Sequence, residues 1–306
     1  MGSVGYRRIA LLRGSFPGHC QGKSNLLSPP GGYHASPRGT AGPRTTVSAC
    51  KNGNEHLFEV PKVTVHPPHK VSIIIPAYNE ASIIGKLLLR VAAADTSPFA
   101  AEIIVVDDGS TDDTFTIVEE VGREIPALRC IRLGENRGKL FALQQGFAMA
   151  SGEIILVQDA DMEYSPEDYS RILEPFTRPD VMVVFGSRFM KTKWPENMLL
   201  AYWLANRLFT LLVNLLFHAG ITDEGTAYKA FRKSLLHTVT FQSSGFSFCA
   251  EITCKLASRQ IAIHEVPISY YARSKHEGKK PRFIDGVKII TTIFGLKIRS
   301  MRGEKF

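Results

Sequence analysis

The sequence predicts an α/β fold, a mostly parallel sheet flanked by helices. Three observations lead there. Short runs that are apolar on both faces recur after position 70, amphipathic segments of helical period separate them, and a polar cluster follows each run. A strand covered by helices on both sides has to be apolar throughout. Strict strand–helix alternation then gives right-handed crossovers in a doubly wound sheet.

The expected strands are Val71 to Pro76, Glu102 to Val106, Leu128 to Leu133, Glu153 to Gln158 and Val181 to Phe185. The expected helices are Glu80 to Ala94, Asp112 to Glu124, Gly138 to Ala150 and Pro166 to Phe176; Ser165, Pro166 and Asp168 give the last an N-cap, an N1 proline and an acidic first turn. In such sheets ligands lie beyond the carboxyl ends of the strands, where loops and helix N-termini converge. The polar clusters fall at those ends: Pro76-Ala77-Tyr78-Asn79-Glu80, Asp107-Asp108-Gly109-Ser110-Thr111, Asn136-Arg137-Gly138-Lys139, Asp159-Ala160-Asp161 and Gly186-Ser187-Arg188. Five strand ends describe one site.

With 306 residues and 44% apolar content the chain can bury one large core or two modest ones. Its front end is unusual. Before Glu55 there is no acid, while seven Lys or Arg stand among Gly, Ser and Pro, so much of the formal net charge of +8 lies outside the folded part. Residues 1–69 therefore read as a leader, either an organellar targeting segment or a disordered tail. The folded domain is expected at 70–273 and a basic tail at 274–306. Cys130, Cys249 and Cys254 have no CxxC partner and no His at ligand spacing, which argues against a disulfide framework or zinc site and for a reducing compartment.

Residues two apart at a strand end point to one side, so Asp159 and Asp161 can face one hard cation. Two carboxylates are too few for a closed cage and suit Mg²⁺ or Mn²⁺ completed by water and phosphate oxygens. Such a cation would stabilise charge growing on a departing diphosphate. Asp107 and Asp108 repel each other unless one meets a donor, for which a nucleobase imide or a ribose hydroxyl would serve, although Asp-Gly is also ordinary turn chemistry. Tyr78 offers a stacking ring, and Lys139 and Arg188, each beside a glycine at a strand end, can reach diphosphate oxygens.

In this order and spacing the five clusters resemble an inverting family 2 glycosyltransferase of the A-type fold. Thr222-Asp223-Glu224-Gly225-Thr226-Ala227-Tyr228-Lys229-Ala230-Phe231-Arg232 and the Glu265-to-Tyr270 strand resemble its dolichyl- or polyprenyl-phosphate hexose synthase branch. The resemblance covers nearly everything after Lys70. It implies that Pro76, Tyr78, Glu80, Asp107 and Asp108 hold the nucleoside of a nucleotide-sugar donor of UDP-glucose or GDP-mannose type. It implies that Asp159 and Asp161 hold a metal–diphosphate with Glu163 beside the metal, and that Lys139 and Arg188 meet phosphates. Arg232 is assigned to the phosphate of a polyprenyl or dolichyl acceptor, and so are Ser274 and Lys275, since Ser274-to-Lys280 resembles the family's phosphate-handling loop. Two departures stand out. Tyr202-Trp203-Leu204 precede Ala205-Asn206 where mannose synthases carry Ser-Arg, which weighs against mannose, and Ala227 replaces the family's Cys or Gly.

A phosphate acceptor is already largely anionic at neutral pH, its second pKa being about 6, and needs no base. A glycan or protein hydroxyl would need one, with Asp223 or Glu224 best placed. A non-catalytic nucleotide-sugar-binding protein is the third reading, and the intact Asp159 and Asp161 weigh against it. Leu199 to Ile221 is apolar but interrupted by Asn206, Arg207, Asn214 and His218, so it reads as an interfacial or core helix rather than a span. From Arg273 to Phe306 ten Lys or Arg face three acids around the apolar Val287-to-Ile298 stretch. That pattern suits an anionic membrane surface; nucleic acid is not expected, because no aromatic-studded motif accompanies the charge. The chain is accordingly expected to be peripheral, on the cytoplasmic face of a membrane.

Overall fold

A computed structural model of the chain describes residues 69–243, 245, 247–272 and 283–304; the leader and the Ser274-to-Lys280 loop lie outside them. The elements, in order, are β1 (Lys70–Ala77), α1 (Ile84–Ala93), β2 (Ala100–Asp107), α2 (Thr114–Gly122), β3 (Leu128–Arg132), α3 (Lys139–Met149), β4 (Ile154–Val157), α4 (Tyr169–Leu173), β5 (Val183–Ser187), α5 (Leu200–Phe217), β6 (Lys229–Arg232), α6 (Lys233–Leu236), α7 (Ser247–Ser258), β7 (His264–Pro267) and α8 (Phe283–Met301).

Seven strands form one sheet in the order β3-β2-β1-β4-β6-β5-β7. Successive side chains on β1 face opposite layers. Val71, Ile73 and Ile75 pack with Leu87, Leu88 and Val91 of α1, Val118 of α2 and Ile172 of α4. Ile74 packs on the other side with Leu140 and Leu143 of α3 and Phe248, Ile252 and Leu256 of α7. Both layers are fully buried, which is why the sequence of β1 is apolar without alternation.

Three features depart from the sequence reading or go beyond it, and each has a physical cause. The segment expected as one helix over Pro166 to Phe176 is a five-residue α4 between two 3₁₀ turns, because Pro175 lacks the N–H that would continue it. The helix expected from Glu80 begins at Ile84, since the Glu80 carbonyl already accepts the Ile83 and Ile84 N–H groups in a turn. And β5 does not neighbour β4. The antiparallel β6 lies between them, so β5 keeps the direction of β4 and still delivers Ser187 to the same edge as Asp159.

α5 is amphipathic in the reverse sense. Asn206 and Thr210 are buried, while Leu200, Leu204, Leu208, Leu211 and Leu215 form an exposed ridge at spacings of three and four. Val213 and Phe217 pack with Ala250 and Cys254 of α7 and with Ile289, Ile293 and Leu296 of α8. α8 is thereby part of the same packed body as the sheet, and its opposite side exposes Ile284, Val287, Phe294, Ile298 and Met301.

Candidate active site

The loops after β1 and β2 are stitched together. The Asn79 N–H donates to Ser110 Oγ at 3.0 Å and the Thr111 N–H donates to Asn79 Oδ1 at 2.9 Å, while the Glu80 N–H donates to Thr114 Oγ1 at 2.8 Å. Asn79 adopts a left-handed φ of 55°, which asparagine tolerates better than most residues. Gly109 is required by its neighbour: a Cβ there would stand 2.6 Å from the carbonyl carbon of Glu135, so the β2 and β3 loops touch backbone to backbone. Tyr78 projects from this junction, 43% exposed.

The adjacent acids Asp107 and Asp108 divide their work. Asp108 takes the N–H groups of Arg137 at 2.9 Å and Gly138 at 2.7 Å, fixing the entry to α3. Asp107 takes the Ser110 N–H on Oδ1, and the Arg132 guanidinium lies 3.4 Å from its Oδ2. That second oxygen is buried and accepts no hydrogen bond. A buried acceptor without a donor is costly, and an imide or hydroxyl of a bound nucleoside is the kind of group that relieves it.

At the end of β4, Lys139 Nζ, on the first residue of α3, donates to Asp159 Oδ1. Burial works to lower the lysine's pKa, and the neighbouring Asp159 charge overrides it and holds it above its usual value. Asp161 Oδ1 accepts the Glu163 N–H, and Glu163 Oε2 accepts the Tyr270 hydroxyl at 2.8 Å. Behind them Gln158, fully buried, accepts the hydroxyls of Tyr169 and Tyr228 on Oε1 and donates from Nε2 to the Asp159 carbonyl. Among the described residues no three His, Cys, Asp or Glu side chains converge on one point. The donor set nevertheless fits Mg²⁺ or Mn²⁺. Asp159 and Asp161 supply hard oxygens, Asp159 already faces a cation in Lys139, and such ions take their remaining ligands from water and phosphates.

Across the site Arg188 and Asp223 form a buried bidentate pair, Nε to Oδ2 and Nη2 to Oδ1, both 2.7 Å. The Arg188 N–H donates to Oδ2 at 3.0 Å and Asn206 Nδ2 to Oδ1 at 3.0 Å, while Thr210 Oγ1 holds the Asn206 carbonyl oxygen. Four donors saturate the carboxylate. Burial would raise its pKa, and Arg188 overrides that and keeps Asp223 below the usual carboxylate range. Arg188 is correspondingly held well above its ordinary value, burial notwithstanding. The loop beneath is carried by Glu265, whose carboxylate accepts the N–H groups of Thr222 at 2.7 Å and Asp223 at 3.1 Å. Glu224 differs from its neighbour: burial pushes it up to about 7, and its Oε1 has no hydrogen-bond partner.

The structure brings together Pro76, Tyr78, Glu80, Asp107, Asp108 and Lys139 with Asp159, Asp161 and Glu163, and Tyr270 links that group to Arg188, whose guanidinium lies 5.1 Å from its ring. Arg232 does not join them. In the antiparallel β4–β6 pair it sits opposite Ile154, at the beginning of β4, and its guanidinium donates to the Phe176, Arg178 and Val181 carbonyls. Its assignment to the acceptor phosphate is therefore corrected: it ties loops at the far end of the sheet. Ser274 and Lys275 lie outside the described residues. Gln158, Asn206, Glu265 and the Tyr270 hydroxyl were not legible as site residues. The one signal was Asn206, a polar residue inside an apolar helix.

Comparison with known proteins bears on the family and the fold. The family model described as glycosyl transferase family 2 matches residues 72–240. The dodecaprenyl-phosphate galacturonate synthase of Rhizobium johnstonii is 29% identical over 270 residues, covering 86% of this chain and 75% of its own length. The dolichol-phosphate mannosyltransferase of Pyrococcus furiosus is 30% identical over 212 residues, covering 69% of this chain and 59% of its own length. This chain thus spans only part of the length of these curated relatives. The glucosyl-3-phosphoglycerate synthase of Mycobacterium tuberculosis, solved with Mn²⁺, UDP and glucosyl-3-phosphoglycerate, superposes with a TM-score of 0.58 at 20% identity over 74% of this chain and 80% of that one. At that identity the likeness concerns the fold.

Proposed function

Because the chain belongs to glycosyl transferase family 2 and has the A-type fold, we propose that it moves a hexose, with inversion, from a nucleoside diphosphate to a polyprenyl phosphate at a membrane surface. Glycosyl transfer comes with the family. The lipid-phosphate acceptor is the finer reading, and it accords with the two curated relatives, whose names state a prenyl-phosphate sugar product or acceptor.

The observation that carries it is the saturation of Asp223. A hydroxyl acceptor would need this carboxylate to take its proton, yet every lone-pair direction is already committed to Arg188 and Asn206. Glu224 is 1% exposed and cannot reach an acceptor from where it lies. An acceptor that arrives as an anion needs neither. Catalysis then rests on positioning and on charge: Asp107 and Tyr78 hold the nucleoside, Asp108 fixes the α3 entry, and Lys139 moves its ammonium from Asp159 to the diphosphate. A divalent cation bound by Asp159 and Asp161 would neutralise the charge that grows on the leaving diphosphate.

Membrane attachment is supported by α5 and α8. Each half-exposed leucine of the α5 ridge leaves about 1 kcal/mol of apolar transfer unrealised in water. Lys288 on α8, Arg302 just after it and Lys193 in the loop before α5 are exposed, and α5 contains no acid. By length and composition alone α5 is the one described helix that could cross a membrane, but its inward face is tied to Asp223 and Glu224, so it lies along the protein. Incubating the purified protein with labelled UDP-glucose, UDP-galactose or GDP-mannose, a polyprenyl phosphate and Mg²⁺ or Mn²⁺ tests the reading. Label is expected to pass into organic solvent. Label transferred only to water-soluble glycans or protein would refute the lipid acceptor.

A further inference from the structure

We propose that Arg207 binds the phosphate of the acceptor, and that the stacked rings of Trp194 and Trp203 wall the path along which its prenyl chain leaves the site. This rests on the lipid-phosphate reading above and names the residues that would carry it. Arg207 stands on α5 one turn after Trp203. Its guanidinium lies 4.1 Å from the centroid of Phe189 and 5.5 Å from that of Trp203, and its Nη1 is 3.5 Å from the Thr222 carbonyl, in the loop that carries Asp223. Phe189 directly follows Arg188, whose guanidinium is 5.6 Å from the same ring. The two guanidiniums therefore flank one aromatic side chain at the rim of the site.

Their electrostatic situations differ. Arg188 is neutralised by Asp223, Lys139 by Asp159 and Arg90 by Glu167. Among the described residues no carboxylate lies within ion-pair distance of Arg207. A guanidinium held by aromatic faces keeps its planar fork and its full charge, and it loses little solvation or rotational freedom when an anion arrives. A phosphate monoester, doubly charged near neutral pH and offering paired oxygens, is the matching ligand.

The surface beyond Arg207 is apolar. Trp194 and Trp203 stack at 5.2 Å with 15° between their planes, and their indole N–H groups donate to the Met198 and Lys193 carbonyls. With both polar edges satisfied, the rings present hydrocarbon. Trp194 is 45% exposed, and the wall continues into Leu199, Leu200 and Leu204 at the head of the α5 ridge. Phosphate at the arginine and hydrocarbon along the tryptophans describe the two ends of a lipid phosphate rather than a free phosphorylated metabolite.

The test compares a long polyprenyl phosphate in vesicles with a short, water-soluble prenyl phosphate. Arg207→Ala is expected to raise KM for both acceptors about tenfold or more, the scale of a charge-assisted hydrogen bond, with KM for the nucleotide sugar unchanged. Arg207→Lys should recover part of the loss, since it keeps the charge without the fork. Trp194→Ala, which removes the ring that does not touch Arg207, should raise KM for the long acceptor more than for the short one. An Arg207→Ala enzyme with wild-type acceptor KM, or one in which donor and acceptor KM rise together, overturns the assignment. If the wild-type protein itself transfers to no prenyl phosphate, the acceptor reading fails and this assignment falls with it.

Discussion

The two sides of the site, one proposed to hold the nucleotide and the other proposed to face the acceptor, hold their acids differently. On the nucleotide side, Asp108 bonds to the backbone of Arg137 and Gly138, and Asn79 to that of Thr111; side chains there brace loops. On the acceptor side, Arg188, Asp223, Asn206 and Thr210 bond chiefly to one another, and the loop beneath hangs on Glu265. The first side should tolerate changes of charge among its neighbours, because its geometry is written in main-chain contacts. The second should fail when one partner is removed, because each member is what keeps the next one paired. Each side nevertheless leaves a buried carboxylate oxygen without a hydrogen bond, Asp107 Oδ2 and Glu224 Oε1.

The largest expected effect separates chemistry from folding on the nucleotide side. Asp161→Asn should lower transfer by about a thousandfold while the thermal melt stays within the error of the wild type. A variant with wild-type turnover would remove Asp161 from any role at a cation. On the acceptor side the expectation reverses: Asp223→Asn leaves Arg188 charged and buried, so urea denaturation should reveal a loss of about 3–5 kcal/mol. A loss below 1 kcal/mol would mean that the pair is no more than a surface interaction, and the contrast between the two sides would dissolve.

Glu224 sharpens the comparison through pH. Its folded pKa of about 7 lies above the ordinary 4.5, so the folded protein keeps a proton that the unfolded chain has released. Stability from this group is complete below pH 4.5 and is lost as pH rises through about 7. Glu224→Gln should flatten that slope and stabilise the protein at pH 8 by up to about 3 kcal/mol. A pH-stability curve indistinguishable from the wild type would place the titration elsewhere. The smallest effect on folding is expected at the α5 ridge. Leu204→Glu with Leu211→Glu should change stability by less than about 0.5 kcal/mol per site, yet weaken co-sedimentation with anionic vesicles. Unchanged co-sedimentation would reject the ridge as a membrane contact.

The nucleotide side was legible in the sequence because its strands are apolar without interruption and its polar residues arrive in compact clusters at their ends. Asp159 and Asp161 could be placed on one edge from the two-residue period alone. On the acceptor side Arg188 and Asp223 stood out singly but their pairing did not, since Arg188, Asn206, Asp223 and Glu265 converge from four separate segments and no local pattern announces that. The antiparallel β6 also escaped, being four residues long and continuous with α6. The direction of that strand decides at which end of the sheet Arg232 lies, and composition does not reveal it. The reversed helix α5 shows the limit of periodicity, which finds a helix but does not say which face is wet.

The grip of Asp108 on two successive amides has a thermodynamic corollary. The main chain entering α3 is immobilised when the protein folds, so a nucleotide arriving there has little loop entropy to remove and no closure to wait for on that side. Association with the donor should then be fast and governed by diffusion and charge, leaving any slow conformational step to the opposite wall.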